Sequence, residues 1–245
     1  MKESSPRFVA PMSTPRPRGS RLLTAFSPKL GRPIRAFDHA AFEQWVRLEV
    51  DPGVIAFCEH PCRVGANDDG RLVDFWVAHH GQEEMLVVER GQGPVKLPGL
   101  AQDVPLRLVP AAEQAAAALW VSNWMRMIPV INMTRDVQPK SLIKSVLNLV
   151  RQPLALSLIE HELAVGDPAV VRGTIFELLR TGQLMAPSLH THALSLHTQV
   201  EPDRGRSPDG HQSPPGLSIT RERRRAACRR AAIWLARLGA AHPRR

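Results

Sequence analysis

Three acids and a base stand in a pattern suited to phosphodiester chemistry. Glu43 lies in the middle of a helical run, DHAAFEQWVRLEV (38–50). Asp74 interrupts an apolar run, Leu72-Val73-Asp74-Phe75-Trp76-Val77, and a second one, Met85-Leu86-Val87-Val88-Glu89-Arg90, ends in an acid and a base. A carboxylate inside an apolar strand costs desolvation unless a cation or a metal compensates it. A helix acid, a strand acid and an acid-plus-base on a neighbouring strand match metal-dependent hydrolysis. Glu43 and Asp74 would hold Mg²⁺ (Mn²⁺ substituting), which activates water and clamps the departing oxygen. A cation beside them, here Arg90 next to Glu89, stabilises the developing phosphorane charge. The same residues have a plainer reading, in which Asp74 and Glu89 mark strand ends and pair with arginines.

Positioning such residues takes a helix and a small sheet. Asp38 is placed to cap the first helix, and Asp51-Pro52-Gly53 stops it. Short β-like runs follow at 54–58, 62–65, 72–77 and 84–89, separated by the turn signals Asn67-Asp68-Asp69-Gly70 and His79-His80-Gly81. A helix followed by an antiparallel meander is an α+β core. A second helix is expected over 111–127, opened by Pro110 and closed by Pro129, with a short strand at 130–133. From Lys140 the pattern is helical: 140–150, then 153–164 and 167–180, ended by Gly182. Two extended pieces, 183–186 and 193–200, complete a winged-helix-like order. The organisation expected is a flexible basic arm (1–35), a catalytic domain (36–137), a small winged-helix-like domain (138–200), and a basic linker with a C-terminal helix (201–245).

The chain has 245 residues and a formal net charge of +9, so its length permits a real core without disulfide staples. The charge is uneven. Residues 1–35 carry eight Lys/Arg against one acid, residues 201–245 carry eleven Arg against four acids, and the middle is net −5. Basic blocks at chain ends point to a polyanion, above all nucleic acid. Six arginines fall within 221–230, and Arg223, Arg224, Arg229 and Arg230 are the expected phosphate contacts. No apolar run is long enough to span a membrane, and the Pro/Arg/Ser-rich start lacks the apolar centre of a secretory signal. Cys58, Cys62 and Cys228 cannot make a disulfide framework, so reduced thiols and a cytoplasmic setting are expected. The motif Cys58-Glu59-His60-Pro61-Cys62 and the histidines His190, His192 and His197 lack the paired spacing of structural zinc. Trp120 and Trp124, four apart on one helix, read as core.

A resemblance sharpens this. Phe26-Ser27-Pro28-Lys29-Leu30-Gly31-Arg32, the Glu43 helix, Leu48-Glu49-Val50-Asp51-Pro52-Gly53-Val54-Ile55-Ala56-Phe57 and Glu59-His60-Pro61 resemble the N-terminal domain of TnsA. TnsA is the endonuclease subunit of heteromeric cut-and-paste transposases. Val171-Arg172-Gly173-Thr174-Ile175-Phe176-Glu177-Leu178-Leu179-Arg180-Thr181-Gly182-Gln183-Leu184 resembles the helix-turn-strand of its C-terminal domain. The resemblance covers roughly residues 20–200. It implies a restriction-endonuclease-like mixed sheet with flanking helices, a winged-helix-like unit behind it, and Mg²⁺-dependent cleavage of DNA at transposon ends. It also implies two protein partners in a bacterial cell, an integrase-type transposase subunit and an AAA+ ATPase regulator.

The third motif departs from the family, which has an acid or Gln, one residue, then Lys. Val88-Glu89-Arg90 puts Val where the acid belongs and Arg where Lys belongs. The alternative register puts Glu89 in the acid position and Gly91 in the Lys position. Arginine is a poor base but still stabilises phosphate charge, and Lys96 is close enough in sequence to swing back. Three readings therefore stand: a Mg²⁺-dependent endonuclease, a catalytically degenerate adaptor of the same fold, and a generic basic DNA-binding protein.

Overall fold

Apolar alternation along residues 56–88 builds a sheet with both faces covered. The computed structural model describes residues 6–65, 70–90, 100–101, 103–163 and 167–203. The chain divides into two units, Met1–Arg206 and Ser207–Arg245, and all described residues lie in the first. Lys96 and the arginines at 223, 224, 229 and 230, with the helix expected around them, lie outside the described residues.

The central sheet has five strands: β3 (Ala56–Glu59), β6 (Phe75–His79), β7 (Gln82–Val88), β8 (Leu100–Ala101) and β9 (Val104–Val109). Their order is β3-β6-β7-β9-β8, with β7 and β9 parallel and the other pairs antiparallel. The expected meander thus becomes a mixed sheet, because β9 enters beside β7 in the same direction. Between β3 and β6 the chain makes a two-stranded extension of β4 (Arg63–Val64) and β5 (Arg71–Leu72). The strand expected over 72–77 is accordingly broken at Val73-Asp74.

Successive side chains of these strands go to opposite faces. Phe57, Phe75, Val77, Leu86 and Val88 join the main core, while Cys58, Trp76, Met85 and Val104 form a second cluster. The N-terminal residues cover that second face: Phe8 packs edge-on against Trp76, and Met12 N–H donates to the His60 carbonyl. Part of the segment read as an arm is therefore built into the fold. It continues into a hairpin, β1 (Leu23–Ser27) and β2 (Arg32–Ala36), which turns through Gly31 at a φ of 66° that favours glycine.

On the main-core side lie α1 (His39–Val50), α2 (Ala111–Ala116) and α3 (Ala118–Thr134). Residues 130–133, expected as a strand, continue α3 through Pro129. Proline removes one N–H, but Pro129, Met125 and Met133 are all exposed, so water can serve the released carbonyl. Next come α4 (Lys140–Leu149), β10 (Leu154–Ala155), α5 (Leu156–Glu162), α6 (Pro168–Arg180), β11 (Leu184–Met185) and β12 (Gln199–Pro202). The last strand lies between β10 and β11, antiparallel to both. Asp167 caps α6 through Ala169 N–H, close to where the sequence starts that helix.

No separate core marks the boundary expected near 137. Residues from Ile34 to Val200 form one continuous apolar cluster. Helices α3 and α6 meet at Gly173, where a Cβ would stand 1.9 Å from Thr134 Oγ1. A buried polar cluster spans the same seam. The Glu49 carboxylate, fully buried, accepts from Ser27 Oγ, from Lys29 N–H at 2.8 Å and from Arg180 Nη1 at 3.2 Å. Lys29 Nζ donates to the carbonyls of Leu48, Asp51 and Val54, closing the C-terminal end of α1. Burial pushes the Lys29 ammonium down to about 8, against the pull of Glu49.

Two outcomes follow from this packing. Gly173→Ala is expected to lower unfolding stability by roughly 1–3 kcal/mol through overpacking, read by urea denaturation, and Thr134→Ala in the same chain to restore part of it. Between pH 8 and the ordinary lysine value of 10.5, the unfolded chain binds more protons at Lys29 than the folded protein does. The full cost of burying that charge is present below pH 8 and is relieved as pH rises through the window. From about pH 7 to about pH 10 the wild type should therefore gain about 2 kcal/mol relative to Lys29→Met; a constant difference would contradict the burial.

Candidate functional site

Asp74 sits where the ladder between β6 and β7 gives out. Its N–H still donates to the Leu86 carbonyl, and its own carbonyl accepts from His60 N–H. Further along β7, Val88 N–H donates at 2.7 Å to the Asp74 carboxylate Oδ2. The side chain thus takes over the strand's hydrogen bonding at a site only 2% exposed. Arg90 closes the arrangement. Its Nη2 donates to Asp74 Oδ1 at 2.6 Å, its Nη1 to Oδ2 at 3.2 Å, and its Nε to Asp38 Oδ2 at 2.6 Å. The other oxygen of Asp38, Oδ1, accepts from Ala41 N–H and caps α1. Burial works against the charge of Arg90, but Asp74 and Asp38 outweigh it and raise its pKa above the usual arginine value. The fork geometry of guanidinium suits this bidentate pairing.

The structure brings Asp74 and Arg90 together and leaves the other two expected residues elsewhere. Glu89 accepts from Ala111 N–H at 2.8 Å. It caps α2, whose N-cap residue, Pro110, has no side chain able to do so. Glu43 is half-buried one turn beyond His39 on α1, and among the described residues its side chain has no hydrogen bond or ion pair. Arg90 reaches Asp74 from just beyond β7, and Val88 is fully buried in the main core.

Asp74, Arg90 and Asp38 line a cavity of about 860 Å³. Its other walls are the strap residues Arg18 and Arg21, Arg71 and Leu72 of β5, Phe37, His39 and His60. Four arginines face two carboxylates, and both carboxylates already hold Arg90. Among the described residues Arg18, Arg21 and Arg71 form no ion pair; Arg71 donates to the Val88 carbonyl at 3.2 Å. His60, with φ 48°, lies under Phe37, ring centroids 4.6 Å apart and nearly parallel. Burial lowers its pKa below the ordinary histidine value, only partly offset by Asp74 and Glu59. Among the described lining residues the arginines therefore outnumber the carboxylates by two.

The Mg²⁺ expected at Glu43 and Asp74 does not fit this donor set. Both Asp74 oxygens are engaged, the Val88 side chain offers no oxygen and its carbonyl already accepts from Arg71 and Arg90, and the guanidinium of Arg90 lies against the carboxylate where a cation would have to bind. Among the described residues no group of three His, Cys, Asp or Glu is placed to hold a metal ion. The Cys58 thiol is pushed up to about 12, chiefly by burial, and Cys62 contacts Met85 Sδ at 3.7 Å, so both remain protonated interior groups. Trp124 is core, as expected, and Trp120 stacks on His190 at 4.0 Å.

Sequence reasoning finds Asp38 only as a cap and passes over Arg18, Arg21 and Arg71. A cap signal precedes most helices, and nothing in an arginine's neighbours along the chain says which cavity it borders. No protein-family profile matches this chain, and no curated protein matches it.

The Arg90 pair carries a sharp expectation. Arg90→Leu leaves a buried carboxylate without its cation and should cost about 3–5 kcal/mol by chemical denaturation. The double variant Asp74→Leu, Arg90→Leu should be more stable than Arg90→Leu alone, since it removes the stranded charge as well. Additive losses would show that the two side chains are not coupled.

Proposed function

We propose that this chain is a DNA-binding subunit of TnsA-like architecture that grips phosphate with guanidinium groups, a catalytically degenerate adaptor rather than a metal-dependent nuclease. The observation that carries the reading is the sign of the cavity. A two-metal or one-metal nuclease site gathers an excess of carboxylate to hold its cations. Here the arginines outnumber the acids, and Arg90 neutralises the acid that the motif order would assign to metal. Arginine is suited to phosphate through planar, bidentate hydrogen bonds and a charge it does not lose. The basic segments at both ends of the sequence supply further sequence-neutral contacts to a polyanion.

The wider role rests on the order of the sequence motifs. The segment 171–184, with its likeness to the TnsA C-terminal helix-turn-strand, supports docking of an AAA+ ATPase regulator. An integrase-type transposase subunit is the companion that would cut the transposon ends this chain holds. A restriction-endonuclease-like sheet and a winged-helix-like unit are the finer fold assignments belonging to this proposal; the mixed sheet with flanking helices is compatible with them.

Metal and DNA binding separate the readings without any partner protein. Mn²⁺ titration followed by electron paramagnetic resonance should show no site that depends on Asp74. Duplex affinity should be the same in EDTA and in Mg²⁺. Replacing Arg18 or Arg21 by Gln should reduce its salt dependence, by about one unit of log–log slope per phosphate no longer neutralised. Tight Mn²⁺ binding abolished by Asp74→Asn, with Mg²⁺-dependent nicking, would restore the endonuclease reading.

A further inference from the structure

The cavity has a size and a charge that a passing duplex does not explain. About 860 Å³ is the scale of a small-molecule pocket. It accommodates a nucleotide or two, whereas the body of a double helix can meet only exposed side chains such as Arg18 and Arg21. A phosphodiester within a strand carries one negative charge, whereas a phosphomonoester carries about −1.5 to −2 near neutral pH. Among the described lining residues the arginines exceed the carboxylates by two, which matches a single phosphomonoester and exceeds a single phosphodiester. Arg18, Arg21 and Arg71 supply three guanidiniums that form no ion pair among the described residues, and the stacked Phe37–His60 pair adds an aromatic wall. Arg90, locked between Asp38 and Asp74, keeps those two carboxylates from repelling an incoming anion.

We infer that this pocket takes the terminal phosphate of a DNA strand together with its end nucleotide, so that the protein recognises a cut end rather than an intact duplex. The inference rests on the metal-free DNA-binding reading above and names the ligand of that site. Arg18 and Arg21, on the strap that precedes β1, are its specificity-determining residues. Both are exposed, and neither forms an ion pair among the described residues, so they can be changed without disturbing the core.

The test uses the full chain in EDTA and internally labelled, short single-stranded oligodeoxynucleotides, read by fluorescence anisotropy. One carries a 5′-phosphate, one a 3′-phosphate, and one a hydroxyl at each end. At least one phosphorylated strand should bind about tenfold more tightly than the hydroxyl strand, the size expected for charge-assisted hydrogen bonds to an added charge. In the Arg18→Gln, Arg21→Gln double variant that preference should disappear while the thermal midpoint stays unchanged. Unlabelled deoxynucleoside monophosphate and inorganic phosphate serve as competitors and should displace the strand only weakly. Equal affinity for all three strands would overturn the end-recognition proposal and leave metal-free DNA binding standing. A mononucleotide that binds as tightly as the strand would overturn it in favour of a free-nucleotide pocket. Loss of all DNA binding in EDTA, regained with Mg²⁺, would overturn both readings.

Discussion

A carboxylate buried at the end of a sheet has to be matched by a cation, and much of this site follows from how Asp74 is matched. It stands where β5 gives way to β6, with one oxygen taken by a backbone amide of β7 and both shared with Arg90. Left alone, such a group would be neutralised or would destabilise the fold. Here the guanidinium arrives from the end of the adjacent strand and stays charged. Its third contact, with Asp38, ties the end of β7 to the start of α1. One side chain thereby fixes the position of a strand end, a helix N-terminus and the floor of the cavity.

A second buried polar cluster holds the remainder of the fold in register. Glu49 collects donors from the β1–β2 hairpin and from α6, while Lys29 closes α1 from the same hairpin. Arg32 and Glu59 add a bidentate pair, both contacts at 2.7 Å, that joins β2 to the end of β3. These contacts connect residues far apart in the chain, and they explain why residues before 36 and after 138 share one core with the sheet. They also keep the hairpin, and the strap that leads into it, beside the cavity.

Function is then a matter of sign. The motif order that resembles a nuclease places an acid on a helix, an acid on a strand and a third motif on the next strand. The folded protein uses those acids differently: Glu89 caps α2, Asp74 holds Arg90, and Glu43 stands apart from the cavity. Four arginines from three parts of the chain line the space. A cavity of that sign favours anions.

Most of the scaffold is legible in the sequence because local rules govern it. The helix over residues 39–50 with its Asp38 cap, the helix after Asp167 and the strand ending at Val88 are set by periodicity and capping. The run through Pro129 defeats those rules, since whether a proline ends a helix depends on solvent reaching the freed carbonyl. The mixed sheet escapes them for a related reason: β9 and β7 are paired across a long connection, and no local pattern records the direction of a partner. The residue order alone names the acids and bases, puts them near strand ends, and shows Val88 and Arg90 departing from the motif it resembles. Which acid meets which cation is set by the fold. A carboxylate's role is set by the charges within a few ångströms of it, and for Asp74 that charge is Arg90, which the fold alone brings between residues 38 and 74.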